Sequence, residues 1–291
     1  MNKTLSLLKI YRILLVFIIT ISSLAKGQVS DLTRELNIDY SKATINTRFV
    51  PPAGYVWVKE EPGSFGEFLS NFPLYPKDFP IRDYKKVPIE KQYHHAAILK
   101  IDVGEKDLQQ CADAWMRMYA EYLWLQKRSG EVEFQFTSGQ KMSWNDFKKG
   151  IRTTEDGEKV KFHKSARYDD SYQNFRKYLN LVFNYAGTIS LNRESVPVTK
   201  NQDIKTGDFL IIPGSPGHTV FIVGTAKNSG GKKLYLLAES YMPAQDVHLL
   251  INPLKKNISP WYELDVNSPY TVTAKYIFKP TSIKRFHALA K

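Results

Sequence analysis

The chain has 291 residues, of which 43% are hydrophobic and 24% charged, and this composition excludes an intrinsically disordered protein. The formal net charge of +12 suits anionic envelope polymers or lipid surfaces, but no nucleic-acid recognition motif accompanies it, so nucleic acid is not expected as a partner. With a single cysteine the chain cannot form an internal disulfide bond, so its one thiol is free for other chemistry.

The first 27 residues are predicted to be an export signal. Three basic residues precede the apolar run at 13–21, and small residues follow it, with Ala25 and Gly27 spaced like a cleavage site. The run is too short to predict a spanning helix, and an uncleaved anchor is the alternative. We therefore predict an exported domain at 28–291, periplasmic or extracellular, with no integral membrane span after cleavage.

The N-terminal part of this domain is predicted to contain short elements. Residues 48–92 are rich in Pro and aromatic residues, which is typical of short strands and turns, and a brief helix is predicted at 64–69. We interpret 48–92 as an extension of the main domain. The apolar run at 95–102 predicts a buried strand.

The clearest helix is predicted at 107–127. Asp107 is a residue type that caps helix N-termini. Apolar residues then recur at helical spacing and predict one inward face, formed by Leu108, Cys111, Trp115, Met118, Tyr122 and Leu125.

The rest of the chain is predicted to hold a second long helix and several short strands. The helix spans 169–185 and ends near Gly187, and a short helix is predicted at 144–152. Residues 246–291 add strands or coil. The more regular strands are predicted at 132–137, 208–212, 219–223 and 234–238, the last two joined by a Gly-Gly turn. No repeat or linker interrupts the chain, which predicts a single α+β domain with helices first and an antiparallel sheet after.

Cys111 is the candidate nucleophile. It lies in the first turns of the predicted helix, where the helix dipole favours a thiolate. Gln109 and Gln110 precede it, and their amide groups are uncharged donors suited to supporting a developing oxyanion. A buried structural cysteine is expected at the same position, so position alone leaves both interpretations open.

His218 is the candidate general base. In DIKTGDFLIIPGSPGHTVFIVG, residues 203–224, a Gly-Asp pair opens one strand and a Gly-His pair opens the next. A histidine at the start of a strand lies at a sheet edge, where its ring can reach the end of a helix. A structural histidine is the alternative.

These motifs resemble the NlpC-type papain-like cysteine peptidases. The resemblance implies a papain-like arrangement, in which the helix carrying Cys111 packs on an antiparallel sheet and His218 serves as base and acid. It also implies a third polar residue on the next strand, and Glu239 in the LAES segment at 237–240 is the candidate. A solvent-facing glutamate is the alternative. The chain departs from the family in having Gln-Gln before the cysteine, where Asp is usual, and in its long separation between Cys111 and His218.

A second resemblance covers nearly all of the predicted mature domain. The strings DLQQCADAWMRMYAEYLW, FRKYLNLVFNYAGTISL, GDFLIIPGSPGHTVFIV and LLAESYMPAQDVHLLINP are similar to the bacterial family known as domain of unknown function 4846. This resemblance implies no reaction. It implies that the QQCADA and PGHTV segments belong to one site.

Other residues are weaker candidates for the site. Trp115, Trp144, Tyr241 and Gln245 are candidates for a substrate groove. His248 alternates with apolar residues and could reach the sheet face near His218. No close-spaced ligand pair such as HxH or CxxC is present, so neither a metal nor a cofactor is expected.

The sequence predicts an exported cysteine hydrolase. An amidase or endopeptidase acting on peptide amides of the cell envelope, such as those of peptidoglycan, fits the export signal and the resemblance. The alternative is a non-catalytic envelope-binding or scaffold protein on a papain-like frame, which the aromatic N-terminal stretch and the basic charge favour. The oligomeric state is not predicted.

Overall fold

A computed structural model describes residues 38–156, 159–279 and 282–290. The predicted export signal at 1–27 lies outside the described residues. Within those three ranges, no helix is both long enough and apolar enough to cross a membrane.

The helices are few and mostly short. Those of the described residues are α1 (Ile45–Arg48), α2 (Phe65–Ser70), α3 (Cys111–Leu125), α4 (Trp144–Lys148), α5 (Tyr172–Tyr185) and α6 (Thr188–Arg193).

The strands are more numerous. They are β1 (Tyr55–Trp57), β2 (His95–Ile98), β3 (Glu133–Gln135), β4 (Lys141–Ser143), β5 (Ile151–Asp156), β6 (Lys159–Lys164), β7 (Ser195–Pro197), β8 (Phe209–Ile212), β9 (His218–Asn228), β10 (Lys233–Glu239), β11 (His248–Leu250), β12 (Thr271–Val272), β13 (Ile277–Phe278) and β14 (Ile283–Phe286).

Eight of these strands form one antiparallel sheet. Its order is β2-β11-β10-β9-β8-β14-β7, and β1 pairs with the far end of β9. The pairs β3–β4, β5–β6 and β12–β13 are separate two-stranded sheets. The α+β class with a large antiparallel sheet is therefore confirmed.

The sheet carries apolar side chains on both of its faces. On one face Phe221 and Leu236 pack with Trp115 of α3. On the other face Val220 and Leu237 belong to a second cluster, which includes Phe278 of β13 and the adjacent ring of Tyr276. Because neighbouring residues of a strand point to opposite faces, a strand buried on both faces is apolar throughout. We name the two sides the α3 face and the hairpin face.

Several elements form where the sequence predicts them. The brief helix at 64–69 is α2, and the Ser64 Oγ accepts a hydrogen bond from the Glu67 N–H at 3.1 Å. The helix at 169–185 is α5, which begins after Ser171, whose Oγ accepts from the Asn174 N–H at 3.2 Å. Both are hydroxyl N-caps, which satisfy a backbone donor that the helix leaves free.

The start of α3 differs from the prediction. The helix begins at Cys111 rather than at 107, and Asp107 is not its cap. The Asp107 Oδ1 instead accepts from the backbone N–H of Ala244 at 2.7 Å, a contact made by tertiary folding. Asp113 receives the Gln110 N–H at 3.1 Å and closes the first turn. Cys111 is consequently the first residue of the helix.

The predicted inward face of α3 is also only partly right. Almost every side chain from Cys111 to Leu123 is buried, because sheet, α2 and the β3–β4 region surround the helix. Leu125, predicted to face inward, is 64% exposed at the end of the helix.

The predicted order of helices first and sheet after is wrong in detail. Strands β1 and β2 come from the N-terminal half yet join the main sheet, and β14 from the chain's end inserts between β8 and β7. The hairpin β5–β6 occupies residues that were predicted partly as helix. The pairings of β1, β2 and β14 join segments far apart in the chain, which local patterns do not encode.

Candidate active site

A buried histidine–glutamate pair lies at one end of the main sheet. His218 opens β9 and Glu239 closes β10, and the His218 Nε2 lies 2.7 Å from the Glu239 Oε2. Both side chains are buried, so the solvent-facing alternative for Glu239 is excluded. A carboxylate can only accept, so Nε2–H donates, and Nδ1 is the ring nitrogen left to take up a proton.

The second oxygen of Glu239 faces a histidine and a lysine. The His248 Nε2 and the Lys275 Nζ each lie 3.4 Å from the Glu239 Oε1. Burial raises the pKa of Glu239, but the hydrogen bonds from His218 and His248 outweigh it and leave that pKa well below its usual range. The carboxylate is therefore ionised and can hold the His218 ring in one tautomer.

The orientation of His248 is fixed by the backbone. Its Nδ1 lies 2.9 Å from the carbonyl oxygen of Asp246, which can only accept, so Nδ1–H donates. The His248 Nε2 therefore carries a hydrogen toward Glu239 only when its ring is positively charged. The sequence placed His248 near His218, and the structure connects them through Glu239.

Cys111 lies against the strand that begins with His218. The backbone N–H groups of Thr219 and Ala112 lie near its sulfur and lower the pKa of the thiol in part. Thr219 directly follows His218, so the sulfur lies beside the first residues of β9. In the part of the chain that the structure describes, no hydrogen bond joins this sulfur to the His218 ring.

The thiol and the imidazole approach the rim of the sheet from its two sides. Cys111 belongs to α3, which packs on the α3 face, whereas the His218 ring stacks on Tyr276 at the hairpin face. Both predicted residues therefore lie around the start of β9, on opposite sides of the sheet rim.

The Cys111 thiol is neutral at neutral pH. Burial raises its pKa to about 11, and the nearby Asp113 adds to this, while the two backbone N–H groups lower it only in part. Burial also raises the pKa of Asp113 well above its usual range. Nucleophilic attack by Cys111 thus requires a base that removes the thiol proton.

This pKa makes the stability of the fold depend on pH. The thiol has an ordinary pKa of 9.0, which applies to the unfolded chain, and about 11 in the folded chain. Between these values the unfolded state has lost the proton and the folded state keeps it, so raising the pH favours unfolding. We expect the wild type to lose about 2–3 kcal/mol of unfolding free energy relative to Cys111→Ser between pH ~8 and ~11.5.

Urea denaturation of both proteins across that pH range measures the difference. The serine variant keeps all the tyrosines, whose titration therefore cancels in the comparison. A difference in unfolding free energy that stays constant with pH would contradict the raised pKa of the thiol.

A cleft leads to the sulfur. It has a volume of about 310 Å³ and lies between the start of α3, the segment 183–188 and the loop 214–217. Asp107 and Asp113 are among its lining residues, and none of its lining side chains is basic. A peptide segment could reach Cys111 through this opening.

The glycine before His218 is required by close packing. A Cβ at Gly217 would lie 2.3 Å from the Thr188 Oγ1 and 2.5 Å from the Gly214 carbonyl oxygen. The Thr188 hydroxyl also accepts from the Gly214 N–H at 3.2 Å, which ties the loop to α6. The Gly-His motif thus has a steric cause, because only glycine fits where the loop turns into β9.

The two glutamines before Cys111 have different surroundings. Gln109 is buried, and its Oε1 accepts from the Arg117 Nη1 at 2.9 Å, so its amide is committed to that guanidinium. Gln110 lines the cleft, and its Nε2 donates to the Asp107 Oδ1 at 3.1 Å. Of the two predicted oxyanion supports, only Gln110 is at the cleft.

The four residues predicted to line a substrate groove lie in different places. Trp115 and Trp144 are fully buried among other aromatic rings, and neither lines the cleft. The Tyr241 ring lies 5.5 Å from the His218 ring, so Tyr241 belongs to the site. Gln245 is buried, and its carbonyl oxygen accepts from the Ser240 Oγ at 2.7 Å.

Other residues of the site were not predicted. Thr219 acts through its backbone N–H, which no side-chain pattern reveals. Lys275 and Tyr276 come from the turn between β12 and β13, where the sequence shows no motif. Across the described ranges, no group of three or more His, Cys, Asp or Glu is placed to hold a metal ion.

The fold and site define an α+β protein in which a cysteine opens a helix beside a buried histidine–glutamate pair. Residues 45–285 match the family described as Domain of unknown function (4846), and the chain belongs to that family. No curated protein and no solved structure matches the chain. The resemblance to the 4846 family is thereby confirmed, and the resemblance to the NlpC-type peptidases stays a prediction.

Proposed function

We propose that this protein is a cysteine hydrolase, an amidase or endopeptidase, with Cys111 as nucleophile. The observation that carries the proposal is the 2.7 Å hydrogen bond between His218 and Glu239. The backbone N–H of Thr219, the residue after His218, lies near the Cys111 sulfur. A nucleophile, a base and a group that orients the base are the parts that covalent acyl transfer needs.

In the proposed reaction the resting state is a neutral thiol and a neutral imidazole. The His218 Nδ1 takes the thiol proton as the sulfur of Cys111 attacks the amide carbonyl carbon, and a C–S bond forms. The negative charge on the carbonyl oxygen is stabilised by N–H groups at the start of α3, assisted by Gln110. Glu239 stabilises the imidazolium through Nε2–H.

The second half of the proposed reaction releases both products. His218 passes its proton to the leaving nitrogen as the C–N bond breaks, which leaves a thioester on Cys111. His218 then removes a proton from water, which attacks the thioester carbon, and the proton returns to the sulfur. The products are a carboxylic acid and an amine.

The proposed substrate is a peptide amide of the cell envelope, such as that of peptidoglycan. The predicted export signal supports this assignment, because the site would then act outside the cytoplasm. The proposed frame is papain-like, and three features support it: α3 carries Cys111 at its first residue, His218 heads a strand of an antiparallel sheet, and Glu239 lies on the next strand.

A non-catalytic binding or scaffold protein is the second candidate. The observation that favours it is the buried thiol itself, whose pKa is raised to about 11 and whose sulfur lies near backbone N–H groups. On this alternative Cys111 packs α3 onto the sheet, and the cleft binds a ligand without cleaving it.

Alkylation of the single cysteine by iodoacetamide tests the proposal. If His218 removes the thiol proton as the sulfur attacks, native Cys111 is labelled near neutral pH without denaturation, and His218→Gln slows the labelling by about 10²-fold. His163→Gln, a change of the same type at an exposed position of β6, should leave the rate unchanged. Labelling that requires denaturation, or the same rate in His218→Gln, would refute the hydrolase and leave the binding protein.

A further inference from the structure

The turn between β12 and β13 reaches the candidate site. These two strands pair Thr271 with Phe278 and Val272 with Ile277. The turn is closed by the Thr273 N–H, which donates to the Tyr276 carbonyl oxygen at 2.9 Å. Phe278 anchors the hairpin in the apolar cluster of the hairpin face.

The ring of Tyr276 lies flat against the His218 ring. Their centroids are 4.0 Å apart and the planes differ by 11°, which is a stacked geometry. The Tyr241 ring meets the imidazole edge-on at 5.5 Å. The imidazole is therefore confined by a parallel ring on one side and by the bond to Glu239 at Nε2.

Lys275 fixes the turn to the same pair. Its Nζ lies 3.4 Å from the Glu239 Oε1 and 4.0 Å from the centre of the Tyr241 ring. A buried carboxylate close to an ammonium group gives a stronger attraction than a pair in water. The ion pair and the cation–π contact both hold the turn over His218.

We propose that Tyr276 is a positioning residue of the active site. Its ring face sets the plane of the His218 imidazole, so that Nε2 stays on Glu239 and Nδ1 points to the rim where the Cys111 sulfur lies. This inference rests on the proposed function, and it assigns Tyr276 no contact with substrate. The aromatic ring of Tyr276 has this role and its hydroxyl group does not, so Tyr276→Phe should keep the His218 ring in place.

The state of the tyrosine fits this role. Burial and a hydrogen bond with Tyr241 raise the pKa of Tyr276 to about 12, so the ring is uncharged at neutral pH. A neutral aromatic face stacks on either the imidazole or the imidazolium form of His218, so it restrains the ring throughout the proton transfers.

The first measurement is the tautomer of His218. The chain has six histidines, so selective ¹⁵N-histidine labelling gives few ring signals, and His218→Gln assigns the one of interest. We expect a fixed Nε2–H tautomer in the wild type and in Tyr276→Phe. Tyr276→Leu and Tyr276→Thr, which lack the ring, should both show averaged ring shifts.

The second measurement is the iodoacetamide rate at Cys111. We expect Tyr276→Leu and Tyr276→Thr to slow the alkylation of Cys111 by about tenfold or more, because a misplaced His218 ring no longer removes the thiol proton efficiently. Tyr276→Phe should stay within about twofold of the wild-type rate. Tyr270→Leu, which removes an exposed tyrosine next to β12, is the matched control and should match the wild type.

The outcomes separate this inference from the proposed function. A fixed Nε2–H tautomer in folded Tyr276→Leu and Tyr276→Thr would overturn the positioning role, whatever the cysteine does. If the wild-type cysteine does not react in the native protein, the hydrolase proposal fails, whereas the tautomer result still decides the role of Tyr276.

Discussion

Replacing Cys111 with alanine is expected to reduce peptide-amide hydrolysis by about 10³-fold or more. No other cysteine can take over, since Cys111 is the only one in the chain. Cys111→Ser should be nearly as inactive, because a hydroxyl at this position is a weaker nucleophile and His218 does not bond to it in the resting geometry.

The assay is the release of new amino groups from purified peptidoglycan peptides, followed by mass analysis of the products. Ser138→Ala, which removes an exposed hydroxyl in the turn after β3, is the control and should keep full activity. Urea denaturation checks that Cys111→Ala is folded. Hydrolysis that persists in folded Cys111→Ala would assign the reaction to another group and exclude Cys111 as nucleophile.

The electrostatics of Cys111 could not be predicted from its place on a helix. A helix N-terminus stabilises a negative charge by about 0.3–1 kcal/mol at exposed sites and by up to about 2 kcal/mol when partly buried. Raising the pKa from 9.0 to about 11 costs the thiolate about 3 kcal/mol in net terms. Burial and Asp113 therefore outweigh the helix, and the sequence cannot show burial of this depth.

The main strands were predictable because their pattern is local. Apart from Asp208, residues 208–212 and 234–238 are apolar, as expected of strands covered on both faces, and both segments form strands in the structure. β14 has the sequence IKRF and was predicted only as strand or coil within 246–291, because its place between β8 and β7 depends on pairing with distant segments. The helix start was misplaced for a similar reason, since Ala244 takes the carboxylate of Asp107.

The site was predictable only for residues that precede or follow a recognisable turn. His218 follows a glycine that packing requires, and Glu239 was placed by its position on the next strand; the two side chains are bonded. Tyr276 and Lys275 reach the same pair from a hairpin at the end of the chain. Nothing in the local sequence marks a residue whose role is to contact a distant histidine.

Arg117→Met is expected to destabilise the fold by about 3–5 kcal/mol. Arg117 is buried in the middle of α3, and its guanidinium donates to Glu121 at 2.6 Å, to Asp102 at 3.0 Å and to Gln109 at 2.9 Å. Methionine keeps most of the volume of the aliphatic part of Arg117, so the loss of unfolding free energy reports on the missing guanidinium charge. Without it, the carboxylate of Glu121 and the amide of Gln109 would be buried with too few partners.

Arg128→Met is the matched control for this prediction. Arg128 is an exposed arginine that pairs with Glu131 at 2.7 Å, and such surface pairs contribute about 0–1 kcal/mol. Urea denaturation of the two variants measures the contrast between a buried and an exposed arginine, and equal losses would show that the Arg117 network does not stabilise the protein.

Arg117→Met also tests how α3 is held at the site. Gln109 lies two residues before Cys111 and is tied to Arg117, so the network fixes the segment that leads into the helix. If that connection positions the sulfur, Arg117→Met should raise the exposure of Cys111 and speed its alkylation in His218→Gln, where the base is absent. Because the histidine has been removed in that background, a rate above that expected from the unfolded fraction measured in urea reports loosening of the helix start. An unchanged rate would confine the effect of Arg117 to global stability.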